Sequence, residues 1–158
     1  MTPRLALSIA ALLMAVAVAC GAFGAHALKS RLAPDALAVW QTAVNYHAWH
    51  AIALLATGML MLHMPGARAL AWAAGLFLAG IALFSGSLYA LALGAPPKVG
   101  MITPFGGSAF IAGWITLAVA TWGSTSSAAL VARRPEPAID HPGRTAAASS
   151  HRDSGSGR

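Results

Sequence analysis

The sequence predicts an all-α integral membrane bundle of four transmembrane helices, with an interfacial amphipathic helix between the first and the second. Three observations carry this. Hydrophobic residues make up 58% of the 158 and charged residues only 9%, far from soluble usage. Apolar runs of about membrane-crossing length are separated by short breaks, with no soluble-domain-length segment between them. Small residues recur every four positions along three of the four runs, a pattern that lets helix backbones approach closely in lipid.

The first span covers residues 5–23. A leader peptide is the competing reading: Arg4 could serve as its basic start, and Ala17-Val18-Ala19 before Cys20 resembles a cleavage site. Against it, Ala11, Ala15 and Ala19 form a four-spaced stripe, as do Ala17, Gly21 and Ala25, and a discarded segment has no use for either. Lys29 to Ala33 breaks the run. Pro34 and Asp35 then suit the first turn of a new helix, one by its fixed φ and the other by its charge. From there Leu37, Trp40, Val44, His47, Ala51 and Leu54 share a helical face while Gln41, Thr42 and Asn45 take another. That segment is the expected amphipathic helix, running toward a second span at residues 48–64 that Pro65-Gly66 ends.

The third span is expected at residues 69–93, with Ala82, Gly86, Ala90 and Gly94 as its small stripe. A Gly-Ala-Pro-Pro-Lys turn leads to the fourth, residues 99–122, bent or restarted at Pro104. There Ser108, Ala112, Thr116 and Ala120 repeat every four. Residues 1–132 thus form the membrane domain, and residues 133–158 are expected to be a disordered basic Pro/Ser/Gly tail that cannot bury enough surface to offset its ordering entropy.

Ten basic and four acidic residues give a net charge of +6. The basic residues sit singly at span ends or in the last quarter, which suits lipid headgroups and argues against a nucleic-acid partner. Four spans place both termini on one side with Arg4, Arg68, Arg133 and Arg134. Lys29, Arg31 and Lys98 lie on the other, so cytoplasmic termini are favoured. A single cysteine excludes an intrachain disulfide and a multi-cysteine metal centre.

Four polar stretches should then meet at one membrane boundary: residues 21–26, 45–50, 87–89 and 102–107. Candidate polar residues there are His26, Lys29, Asn45, His47 and His50. His47 and His50, three apart on a helix, could share a ligand. No Cys, Glu or second Asp accompanies them, so neither a metal nor another cofactor is expected, and no catalytic residue is assigned. Gly21, Gly24, Gly86, Pro104, Gly106 and Gly107 are expected to serve close helix packing, since neither glycine cluster follows a strand or ends as a phosphate loop does.

The segments GAFGAHALKSRL, VWQTAVNYHAWHA, FSGSLYALAL and ITPFGGSAFIAGW, in that order and spacing, resemble the YgdD-like family. It is also called domain of unknown function 423, and its eukaryotic relatives are called transmembrane protein 256. The resemblance spans about residues 5–123 and implies a small multi-span protein of the bacterial inner membrane, without an activity to carry over. The expected role is a non-enzymatic packing or partner-binding protein, as a homo-oligomer or with another membrane protein. The alternative is a permeation component using the boundary around His26, Asn45, His47 and His50, which requires a cavity running from there toward His63.

Overall fold

The computed structural model describes residues 1–132, with side chains to Trp122. The expectation of disorder for residues 133–158 falls outside them. Helix α1, Pro3–Phe23, is capped by the Thr2 hydroxyl, which accepts from the Leu5 N–H at 3.3 Å, and continues through one π-helical turn, Gly24–Leu28. Helix α2 is Pro34–His63. Helix α3, Arg68–Gly80, passes through a second π-helical turn, Ile81–Ser85, into α4, Gly86–Ala92. A 3₁₀ turn, Pro97–Met101, precedes α5, Thr103–Ala132. Gly66 and Gly94 adopt φ of +88° and +93° at the two tight turns, a conformation glycine takes without the strain a side chain would add.

Among the described residues three rods are long and apolar enough to cross a membrane: Pro3–Leu28, Arg68–Ala92 and Pro97–Trp122. At 1.5 Å per residue, 26 residues reach about 39 Å, more than the roughly 30 Å hydrocarbon core. Helix α2 falls outside that set although it is 30 residues long. The expected amphipathic helix and second span are in fact one continuous helix, so the amphipathic segment is not a separate element. Its polar residues are sorted along its length. Gln41, Thr42 and Asn45 are exposed near its start, whereas His47, His50 and Thr57 are buried. Past His47 its exposed residues are apolar as far as Leu62, namely Trp49, Ile52, Leu55, Ala56, Met59 and Leu62, and the exposed His63 closes the helix.

α2 is the hub. It packs against α1 on one side and against the α3–α4 rod on the other, and α5 lies antiparallel along α3 and the second π turn. Leu54, Thr57, Leu70 and Phe77 are wholly buried at the centre.

The small-residue stripes fill these contacts only in part: Ala17 and Gly21 face α2 and Ala120 packs on the core, but other members point outward. Ala11, Ala15 and Ala19 are exposed, and α1 meets α2 through Ala6, Ala10, Ala17 and Gly24. Ala82 and Gly86 are exposed too, and a Cβ on Gly86 would touch nothing within 4 Å. Gly86 is therefore not a packing glycine. The π turn that precedes it adds a residue to the turn and shifts the register of the face beyond. Pro104 sits in the first turn of α5, after the 3₁₀ segment, and so restarts the helix rather than bending it.

Candidate functional site

The stretches expected to meet at one boundary do come together. The Trp40 indole N–H of α2 donates to the Cys20 carbonyl of α1 at 3.0 Å. It can do so because Gly24 has no side chain: a Cβ there would lie 2.7 Å from Trp40 Cδ1 and Nε1. The other side of Trp40 packs on Tyr89, with ring centroids 4.7 Å apart. The Ser87 hydroxyl donates to the Phe84 carbonyl at 2.9 Å and shares a 2.7 Å hydrogen bond with the Thr103 hydroxyl, tying α4 to the start of α5. Gly106 lies against the backbone of Phe84, where a Cβ would collide with Phe84 N. Gly21 makes a looser approach to Val44, and Gly107 an ordinary one to the Phe84 ring.

The polar candidates divide in two. His26 and Lys29 are exposed. Asn45 is exposed as well and accepts from the Gln41 amide at 3.0 Å within α2, rather than bonding to another helix. His47 and His50 are buried, but their rings enter different surroundings.

His50 is fully used. Its Nδ1 lies 2.8 Å from the Tyr46 carbonyl and so carries the proton, which leaves Nε2 to accept from the Trp114 indole N–H at 3.3 Å. The ring stacks on Phe110 with centroids 3.4 Å apart and planes 12° apart, and Phe77 and Trp114 close the remaining sides. Such a histidine holds α2 to α5.

His47 is not. Its Nδ1 makes a long 3.4 Å contact with the Tyr89 hydroxyl, and its Nε2 is buried without a partner. Ser85 Oγ, in the second π turn, is likewise buried and unpartnered. Among the described residues no group of three or more His, Cys, Asp or Glu side chains is placed to hold a metal ion.

Sequence reasoning missed the glycines that seat the aromatic cage. A Cβ on Gly80 would collide with the Phe110 ring, and one on Gly113 would lie 2.9 Å from Phe77. The signal was present as Phe-Leu-Ala-Gly at 77–80 and Phe-Ile-Ala-Gly at 110–113. On antiparallel helices the two motifs interlock, each phenylalanine seated on the other's glycine. Gly58 does the same for Leu7, whose Cδ2 would be 3.0 Å away.

These features define a multi-pass helical membrane protein whose interior is built from aromatic rings seated on glycines. The chain belongs to the family described as protein of unknown function (DUF423), whose model matches residues 20–107. It is 45% identical over 105 residues to the UPF0382 membrane protein YwdK of Bacillus subtilis, covering 66% of this chain and 85% of that one. It is 42% identical to the UPF0382 membrane protein SAB0533 of Staphylococcus aureus, covering 75% and 96%. A UPF0382 membrane protein of Haemophilus influenzae is 43% identical, covering 69% and 86%. No solved structure matches the chain significantly.

Proposed function

We propose that α2 is a fourth span and that the chain is a non-enzymatic bundle of the bacterial inner membrane, its termini cytoplasmic, which associates with a second copy or another membrane protein through α1. One observation carries the reading: Ala11, Ala15 and Ala19 form a small-residue stripe that faces out of the bundle. Within the bundle α1 meets its neighbour on another face, so the stripe is free for a helix outside. In lipid, where the hydrophobic effect adds nothing between helices, close backbone approach along such a stripe is a main source of association.

Burial supports the fourth span. Three polar residues that dilute the hydropathy of α2, His47, His50 and Thr57, lie inside the protein, its outward residues from Trp49 to Leu62 are apolar, and the exposed His63 stands at its end. The permeation reading has less support. Between His50 and His63 the inner face of α2 is filled by Leu54, Thr57 and Met61, all buried.

The test is disulfide crosslinking in native membranes, in a Cys20→Ala background, with Ala15→Cys on the stripe and Ile115→Cys on the exposed face of α5 as control. A dimer or a heavier adduct formed by Ala15→Cys well above the control is expected. Equal, background-level crosslinking at both positions would remove the reading.

A further inference from the structure

We infer that a cavity at the end of the bundle remote from Trp40 binds the headgroup of an anionic phospholipid. The cavity measures about 370 Å³ and forms where the start of α1, the end of α2 and the start of α3 meet. Its wall is mostly apolar, with Met61, Met64 and Ala71 among its residues, and Arg68 is the charged member. That volume is at the small end of ligand sites, enough for a phosphate and the first atoms of its chains. Methionine side chains adapt to flexible methylenes, and a guanidinium pairs with two phosphate oxygens at once.

Charge selects the occupant. Arg4 follows Pro3, the residue of α1 that lines the cavity, and both arginines are exposed. Asp35 is the sole carboxylate among residues 1–132 and lies at the start of α2, the opposite end of the bundle. Among the described residues nothing acidic therefore competes for Arg68. The chain's own residues 133–158 carry five arginines against three carboxylates, so their net charge has the wrong sign for this cavity. A lipid offers the anion and the hydrocarbon together, and the cavity lies at the ends of two membrane-length rods, Pro3–Leu28 and Arg68–Ala92, where headgroups are found.

Native mass spectrometry of the full chain in neutral detergent tests this, counting bound phosphatidylglycerol against phosphatidylcholine. Phosphatidylglycerol should be retained preferentially. Arg68→Gln should weaken that retention about tenfold, the usual size of one charge-assisted hydrogen bond. Ala71→Trp, which fills the cavity and keeps the arginine, should weaken it as well, and decides the matter if Arg68→Gln does not fold. Lys98→Gln, at the opposite boundary, should leave it unchanged. Equal retention of the two lipids would overturn the inference. So would an equal loss in Lys98→Gln, full retention in Ala71→Trp, or displacement by soluble glycerol phosphate.

Discussion

Replacing Gly106 by alanine puts a methyl group into the closest helix contact in the bundle. The new Cβ would collide with Phe84 N and lie 2.7 Å from both Phe84 Cα and Cβ, where non-bonded carbons settle at about 3.5–4.0 Å. Two of the three atoms belong to the backbone of a π turn, so no rotamer change relieves the overlap and α5 must move off that turn. Overpacking of this kind costs about 1–3 kcal/mol, and a backbone neighbour puts Gly106→Ala near the upper figure. The gain in helix propensity offsets about 1 kcal/mol, leaving a net loss of about 2 kcal/mol. Gly107→Ala is the matched control, since its Cβ would sit 3.8 Å from the Phe84 ring. It should be neutral or stabilising by up to about 1 kcal/mol. Unfolding in mixed dodecyl sulfate and maltoside micelles, followed by tryptophan fluorescence, reads the difference. Gly106→Ala as stable as Gly107→Ala would refute the claim that α5 is seated on Phe84.

The two buried histidines should respond unequally in the same assay. His50→Leu strands the Trp114 N–H and should cost about 1–3 kcal/mol, whereas His47→Leu removes an unpartnered nitrogen and should change stability by less than about 1 kcal/mol. Trp40→Phe gives up the hydrogen bond to Cys20 and should lose about 0.6–1.7 kcal/mol, the range for polar contacts between membrane helices. Gly24→Ala pushes against the same indole, which Phe23 and Tyr89 hold from other sides, and should cost about 1–3 kcal/mol. A Gly24→Ala protein as stable as the parent would show that the α1–α2 contact is looser than described.

Much of this fold is legible in the sequence because lipid permits so few alternatives: apolar length fixes the rods, and Pro34, Pro65-Gly66 and Gly94 to Pro97 mark the breaks. Helix faces were less legible. A repeat of Ala11, Ala15 and Ala19 looks the same whether it faces a neighbour or the bilayer, since alanine suits both. The π turns at Gly24–Leu28 and Ile81–Ser85 also displace every later residue from an ideal 3.6-residue period, and Gly86 faces outward where the four-residue spacing predicts a contact. Of the polar candidates, the sequence could mark His47 and His50 as neighbours on one helix. It could not tell which ring would be satisfied, because that depends on Trp114 and Tyr46 in one case and Tyr89 in the other. The paired Phe-x-Ala-Gly motifs were readable, but only to a reader who already placed the two helices antiparallel.

The most direct measurement is the sidedness of single cysteines introduced at Ser30, Pro65 and Lys98 into a Cys20→Ala chain; the Trp40 bond to the Cys20 backbone survives that change. All three positions are exposed, and they lie before α2, after it and before α5. If α2 crosses the bilayer, an impermeant maleimide reaches Ser30→Cys and Lys98→Cys from one face and Pro65→Cys only from the other. Labelling of Ser30→Cys and Pro65→Cys from the same face would mean that α2 does not cross, and the four-span bundle would fall with it.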